Sequence, residues 1–444
     1  MNTLPDARTA LPPDDVLRAT LHDEVHARPT ARIRLPALVV YVAVLNDGIS
    51  REAEWEHLKR LPGQEGLRLA ELSTSFLRIR LANCTLKWER HTEFTRYSIV
   101  QALPDGAGLD ATTSPALDTL AVDPDWLRTL PGRTIAAIKL AMVIGDIDSP
   151  PTMARVGQQW LGGRSVVASV LGTQGHSVAV TTFRLRDSGF EHMLVIAPAS
   201  TSETRAGRVS QRLLELETYR LMALRGLPAA KALAPMLSEA EAALADITAR
   251  LENKLATDQE LLDTLVALAA KVERATALHQ YRFSATQAYH AIVGQRIAEL
   301  REKPIHGTQG IGEFMQRRLS PAIATVAATA QRLAALSQRV ERASGLLRTR
   351  VDIATEAQNQ QLLAQLTRGQ DLQLKLQSTV EGLSIAGISY YVMSLIYYGA
   401  KAVKHAGVPL NPELVAGALI PAVLWMVWRN NRRIHARLQA DQGH

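Results

Sequence analysis

Two histidines four residues apart lie in the segment LHDEVHARP, residues 21–29. Residues i and i+4 share one face of a helix, so His22 and His26 could both reach one zinc ion. The metalloprotease pattern with this histidine spacing requires a glutamate directly after the first histidine, where it acts as general base. This chain has Asp23 at that position and Glu24 one residue later. The departure disfavours a zinc hydrolase.

Another histidine lies between two carboxylates in KWERHTEF, residues 87–94. Alternation along a strand predicts Glu89, His91 and Glu93 on one face. The opposite face would carry Trp88, Arg90, Thr92 and Phe94. A histidine flanked by carboxylates could hold a divalent cation or form an acid–base pair. The candidate cation ligands are His26, Glu89, His91 and Glu93. The alternative is a solvated strand face whose charges pair with Lys87, Arg96 or Arg28.

The whole chain has 444 residues, a formal net charge of +7, a pI near 9.6 and 47% hydrophobic residues. These values are typical of a globular protein with a sizeable core. The arginines are dispersed rather than gathered into a patch with interleaved aromatic residues, so we expect no nucleic acid partner. A single cysteine excludes an intramolecular disulfide. No signal peptide is recognisable at the start, which predicts a cytoplasmic N-terminal part.

Residues 1–200 are expected to form a cytoplasmic α/β domain with a mixed or antiparallel sheet. ALVVYVAVL (Ala37–Leu45) is typical of a buried strand, and SREAEWEHLKRL predicts a helix capped by Ser50. SFLRIRLAN and TLKWERHTEF alternate apolar and polar residues, as half-buried strands do. The further predicted strands are TIAAIKLAMVI, RSVVASVL, HSVAVTTFRL and FEHMLVIAP. GTQG and RDSG between the last three predict antiparallel hairpins.

Residues 201–381 predict a helical bundle and stalk. One helix should end near GLPAAK and another before KPIHGTQGIG. No proline occurs between Pro321 and Pro409, so residues 322–399 could form one helix about 115 Å long. Its apolar residues alternate spacings of three and four, which is typical of a coiled coil. This stripe comprises Leu333, Leu336, Val340, Ala343, Leu347, Val351 and Ala354.

The C-terminal part predicts a transmembrane hairpin over residues 382–428, with spans at about 382–400 and 409–428. Residues 382–400 carry no charge, close to the ~20 residues that cross a bilayer as a helix. The tail, residues 429–444, is rich in arginine, whereas the loop between the spans carries only Lys401 and Lys404. The positive-inside rule therefore predicts that the tail and the N-terminal domain are both cytoplasmic.

Three segments together, EVHARP, KWERHTEF and TVEGLSIAGISYY, resemble a bacterial family of uncharacterised membrane-anchored proteins, a domain of unknown function. The resemblance extends over nearly the whole chain. It implies a bacterial inner-membrane location and no established activity. Its recognisable positions are Glu24, His26, Arg28, Pro29, Trp88, Glu89, Arg90 and His91.

The layout is also similar to that of CorA-type magnesium channels: a cytoplasmic α+β domain, a long stalk helix, two C-terminal spans and a basic tail. Tyr398 and Gly399 match the start of the Tyr-Gly-Met-Asn motif of that family, and Glu413 follows in the loop. Ala400 and Lys401 replace Met-Asn, and a lysine would repel cations at a pore mouth. The resemblance implies a homo-oligomer around the first span.

Three classes of function follow, in order of preference. The first is a non-enzymatic membrane protein whose cytoplasmic domain senses or scaffolds a partner. The second is a CorA-like divalent-cation transporter or channel. The third is a membrane-anchored, metal-dependent enzyme that uses the His/Glu segment, in which the cofactor would be a divalent cation.

Overall fold

The computed structural model describes residues 14–18, 21–22, 31–104, 107–109, 115–147, 152–163, 165–253, 257–405 and 411–441. The chain divides into two compact units, Met1–Ser344 and Gly345–His444. The first unit contains a sheet with helices on both of its faces. The second contains helical segments from the C-terminal part of the chain.

A mixed sheet of nine strands forms the centre of the first unit, in the order β2-β3-β4-β1-β5-β8-β7-β6-β9. Its strands are β1 (Ala37–Leu45), β2 (Phe76–Arg80), β3 (Cys84–Arg90), β4 (Phe94–Ala102), β5 (Arg133–Ile144), β6 (Val167–Leu171), β7 (Ser177–Leu185), β8 (Glu191–Ala197) and β9 (Lys303–Pro304). Among the described strands only β5 and β8 pair in parallel. The predicted mixed sheet and the hairpins β6–β7 and β7–β8 are thus confirmed.

The central strand β1 is buried on both faces, as its continuous apolar run predicts. Leu38, Val40 and the following alternate residues belong to one apolar core. Val39 and Tyr41 belong to the other core, on the opposite face of the sheet. Because successive strand side chains point to opposite faces, β1 contributes to both cores at once.

Short helices cover the first face: α1 (Arg51–Lys59), α2 (Pro124–Arg128), α3 (Met153–Trp160) and two 3-10 turns, Leu69–Leu72 and Pro115–Asp118. The predicted N-cap of α1 is confirmed, since Ser50 Oγ accepts a hydrogen bond of 3.2 Å from the Ala53 amide. Such a cap satisfies an amide that the helix cannot pair internally.

Long helices cover the second face. The helices of this layer and those that follow are α4 (Glu203–Leu224), α5 (Gly226–Asn253), α6 (Asp258–Leu300) and α7 (Ile311–Arg318). α4 ends and α5 begins around Gly226, where a Cβ atom would lie 2.3 Å from Thr286 Oγ1 of α6. A glycine is required for this close approach. The predicted helix end near GLPAAK is confirmed, since α4 ends at Leu224.

The next helix, α8 (Ser320–His405), is continuous, as the absence of proline predicts. Leu333, Leu336 and Val340 of its predicted stripe are buried within the first unit. Arg332 Nη2 lies 2.8 Å from Glu241 Oε2 of α5, so this part of α8 packs on the chain's own helices. Leu333, Leu336 and Val340 are therefore buried without a second copy of the chain.

Two helical stretches in the structure are long and apolar enough, by length and composition, to cross a membrane: Ile311–Lys404 and Pro412–Asn430. The second belongs to α9 (Pro412–Asp441). Their most apolar windows are 6% and 11% buried, whereas the core helix of a soluble protein is mostly buried.

Candidate functional site

The EVHARP part of the predicted site, with Glu24, His26, Arg28 and Pro29, lies outside the described residues. His22, just before it, is exposed. A meeting of His26 with His91 therefore stays a prediction. All residues of the KWERHTEF part lie within the described residues.

KWERHTEF does not form one strand. β3 ends at Arg90, and the chain turns through His91, whose amide donates a 2.8 Å hydrogen bond to the Phe94 carbonyl. Asn46 holds the turn, because its Nδ2 donates to the His91 carbonyl at 2.9 Å. The predicted alternation of side chains between the two faces stops at Arg90, because the chain leaves the strand and turns there. Phe94 lies in the same core as Tyr41, away from the core that contains Trp88.

Glu89 lies on the face of the sheet that the long helices cover, and it is fully buried rather than solvated. Arg96 of the neighbouring strand binds it with two nitrogens, Nε at 2.5 Å and Nη2 at 2.8 Å. Lys87 Nζ lies 3.1 Å from the same carboxylate. Burial by itself raises the pKa of Glu89, but the charges of Arg96 and Lys87 prevail and lower it. Lys87 and Arg96 are confirmed as partners of Glu89, whereas the third predicted partner, Arg28, lies outside the described residues. The predicted solvation of Glu89 is wrong because helix α4 covers this face.

Arg96 extends the network to the helices. Its Nη1 lies 3.0 Å from Glu215 Oε1 on α4. Glu215 also accepts hydrogen bonds from Arg296 of α6 at 2.6 Å and from Gln211 at 2.7 Å. Buried carboxylates that are saturated by guanidinium groups in this way have few lone pairs left for a metal ion. The network joins β3, β4, α4 and α6.

Glu93 and His91 have different partners from Glu89. Glu93 forms ion pairs with Arg282 of α6 and, at 3.8 Å, with Arg225. The His91 ring stacks on Phe94 with a centroid distance of 4.6 Å. Within the described part of the chain, no group of three or more His, Cys, Asp or Glu side chains could hold a metal ion. A metal site at this hairpin would thus need His26 and a rearrangement of these pairs.

The opposite face of β3 has its own buried ion pair. Arg90 Nη1 lies 2.8 Å from Glu54 Oε2 on α1. Glu54 also accepts a 2.6 Å hydrogen bond from Thr95, and burial raises its pKa. Trp88 is fully buried in the core on this side. Trp88 and Arg90 therefore contact the layer of short helices, and Glu89 is linked through Arg96 to the layer of long helices.

A buried pair of carboxyl groups was not predicted from the sequence. Glu191 on β8 and Glu217 on α4 share a hydrogen bond, and Thr181 Oγ1 donates to Glu191 at 2.9 Å. Burial, followed by the charge of Glu217, raises the pKa of Glu191 well above its usual range. Arg220 is paired with Glu217. The folded state therefore favours the protonated form of Glu191.

Described residues of the first unit line several surface cavities, two of which have volumes of about 820 Å³ or more. One, of about 900 Å³, lies beside Trp126 of α2 and the β2–β3 turn. The other, of about 820 Å³, lies at the start of α4 and contains four arginines, Arg205, Arg208, Arg212 and Arg301. The spacing of the first three, i, i+3 and i+7, is a signal that the sequence offered. Arg301 joins them only through the fold.

The predicted pore residues lie in the second unit. Tyr398 and Gly399 belong to α8, and Glu413 belongs to the first turn of α9; all of them are exposed. Residues 406–410 between the two helices lie outside the described part. Transport of a divalent cation stays a prediction.

The fold places this protein in a broad class, α+β proteins that carry two C-terminal helices apolar enough to cross a membrane. A family model described as "Protein of unknown function (DUF3422)" matches residues 13–438. The chain belongs to this family, which confirms the resemblance to a domain of unknown function. No curated protein and no solved structure matches the chain. The similarity to CorA-type channels is not confirmed.

Proposed function

We propose that this protein is a non-enzymatic membrane protein that holds a sensing or scaffolding unit at the cytoplasmic face of the bacterial inner membrane. The observation that carries the proposal is the exposed apolar surface of its C-terminal helices. In α8 the large side chains more than half exposed between residues 383 and 398 are Leu383, Ile388, Tyr390, Tyr391, Leu395 and Tyr398. A continuous surface of this kind is unfavourable in water and is typical of a membrane or protein contact.

The lengths support a bilayer as the environment of this surface. Residues 382–400 come close to the ~20 residues that span the hydrocarbon core. The proposed second span, residues 409–428, ends with Trp425 and Trp428, and aromatic rings prefer the headgroup region. Both tryptophans are exposed. The two spans would form a hairpin that returns the chain to its starting side.

The distribution of basic residues supports the orientation. Four arginines follow the second span, Arg429, Arg432, Arg433 and Arg437, against two lysines between the spans. Lys and Arg in short flanking segments favour the cytoplasmic side. The first unit and the tail would therefore both be cytoplasmic.

The pairing of the acidic residues supports a non-enzymatic role. A general base must reach the proton that it removes, and a metal ligand needs a free lone pair. Glu89, Glu93 and Glu54 are instead engaged by arginines inside the fold. These contacts serve stability rather than chemistry at the hairpin.

Cysteine labelling tests the anchor and its orientation. The chain has one cysteine, Cys84, which is buried, so a Cys84→Ser background allows single-cysteine variants. We expect Ala406→Cys in the loop to react with a membrane-impermeant maleimide in spheroplasts. Gln442→Cys in the tail should react only after lysis.

A truncation after residue 381 serves as the control, because it removes both proposed spans. It should leave the membrane fraction, whereas the full chain should resist alkaline extraction. Labelling of Gln442→Cys in intact spheroplasts would contradict the orientation. Release of the full chain by alkali would contradict the anchor itself.

The mass of the purified full chain in detergent, with elemental analysis of the same peak, tests the proposed homo-oligomer and the cation. A closed oligomer of about five subunits that contains a divalent metal would favour a CorA-like transporter, and ion flux in liposomes would then be measured. A metal-free monomer or dimer would contradict both the transporter and a hairpin metal site.

A further inference from the structure

The cavity at the start of α4 brings four arginines together. It is lined by residues from five parts of the first unit: the segment after β5, the β6–β7 turn, the segment after β8, α4, and the end of α6. Arg205, Arg208 and Arg212 project from one side of α4. Arg301, directly after α6, lines the same cavity.

These arginines are poorly neutralised. Among the described residues Glu299 is the one carboxylate that lines the cavity, and it lies 3.3 Å from Arg212 and 2.8 Å from Arg296. Neither Arg205 nor Arg208 has a carboxylate partner among the residues that the structure describes. Both are exposed to solvent within the cavity. Guanidinium groups that converge without anions repel one another, so a bound anion would stabilise the arrangement.

His176 lies in the same cavity. Its Nδ1 is 3.0 Å from Ser177 Oγ, and its ring lies against Gly172, where a Cβ atom would approach the ring to 2.4 Å. Burial lowers the pKa of His176, and Arg205, Arg212 and Arg208 lower it further. This agrees with the lining of the cavity, in which these three arginines and His176 occur together.

We propose that this cavity binds a small anion that carries two or more phosphate groups. Arginine binds phosphate with two parallel N–H donors, so four arginines could engage several phosphate oxygens at once. The hydroxyl groups of Thr173, Ser200 and Thr201 line the same cavity and add neutral donors. A volume of about 820 Å³ lies within the range of small-molecule sites, about 300–1,000 Å³.

The backbone at Arg301 supports a binding role for its side chain. Arg301 has φ 46° and ψ 50°, a left-handed conformation that is unusual for a non-glycine residue. Glycine or asparagine is usual at this position after a helix. The conformation lets Arg301 Nη1 reach within 3.3 Å of Thr173 Oγ1 at the cavity.

This inference rests on the proposed function, because it names the ligand class of the sensing unit. The phosphates could belong to a free metabolite or to a lipid headgroup, and the cavity chemistry is the same for both. Membrane anchoring is tested by labelling and phosphate binding by titration. Failure of one would leave the other result intact.

The test is isothermal titration of the full chain in detergent with sodium pyrophosphate at constant ionic strength. We expect saturable binding by the unmodified chain. The double variant Arg205→Ala/Arg208→Ala should bind about 10- to 100-fold more weakly, since two charge-assisted contacts are lost. Arg205→Lys/Arg208→Lys keeps the charges but not the paired donors, so its affinity should be intermediate.

Arg339→Ala/Arg342→Ala is the matched control, because these arginines have the same spacing on an exposed side of α8. It should bind pyrophosphate like the unmodified chain. Absence of binding by the unmodified chain, or equal binding by the Arg205/Arg208 variant, would overturn the proposal. Repeating the titration in nanodiscs distinguishes the sources. Competition by cardiolipin, whose headgroup carries two phosphates, would identify a headgroup site, and unchanged affinity would identify a free anion.

Discussion

Replacing Arg96 with methionine should destabilise the first unit strongly, because this side chain neutralises two buried carboxylates. Glu89 and Glu215 lie 2.5 Å and 3.0 Å from its nitrogens, and both side chains are at most 5% exposed. Removing one partner from a buried ion pair costs about 3–5 kcal/mol, since the remaining charge stays desolvated. Lys87 and Arg296 would still contact one carboxylate each, which places Arg96→Met towards the lower end of that range.

Thermal unfolding of the full chain in detergent measures this effect. For a unit of this size we expect a fall in the midpoint of roughly 5 °C or more. The midpoint of Arg96→Lys should lie between those of Arg96→Met and the unmodified chain, because a lysine supplies the charge without the bidentate hydrogen bonds. Arg128→Met is the control, since that arginine pairs with Asp125 on the surface, where both side chains are more than 70% exposed. A midpoint for Arg96→Met within about 1 °C of the unmodified chain would refute the assigned role of this network.

Two further predictions concern stability. The raised pKa of Glu191 means that the folded state favours the protonated form of this carboxyl. The contribution of Glu191 to the free energy of unfolding is therefore complete at acid pH and is lost as the pH rises through the folded-state pKa. Glu191→Gln should therefore unfold at a higher temperature than the unmodified chain at pH 8 but not at pH 5, and the opposite order would contradict the pairing with Glu217. Leu336→Ala should cost about 2–5 kcal/mol because Leu336 is buried, whereas Leu362→Ala, at an exposed position of the same helix, should cost less than about 0.5 kcal/mol. An equal loss at both positions in a urea titration would instead indicate that another copy covers Leu362.

Most of the sheet was predictable because its signals are local. β1 has the bounds of the run ALVVYVAVL, and the N-cap at Ser50 was readable from a serine before an amphipathic segment. The long uninterrupted α8 followed from the absence of proline. These features depend on residues close together in the sequence.

The hairpin at KWERHTEF was predicted less well because its conformation depends on distant residues. The segment HTE lacks the Gly or Asn-Gly signals of a tight turn, and Asn46, forty-five residues earlier, fixes the turn at His91. The burial of Glu89 depends on α4. Glu215 of that helix accepts a hydrogen bond from Arg96 of β4, which lies 119 residues earlier in the sequence. Alternation alone cannot distinguish a polar face in water from a charged face beneath a helix.

These contacts bear on where the function of the first unit resides. Trp88, Glu89 and Arg90, the described centre of the recognisable segment, are accounted for by core packing and buried ion pairs. Side chains committed to such pairs cannot also bind a ligand without a cost of several kcal/mol. Arg205 and Arg208 carry no comparable commitment, since both are exposed in a cavity with excess positive charge. Variants in this cavity should therefore change function at little cost in stability, whereas variants at KWERHTEF should act through stability.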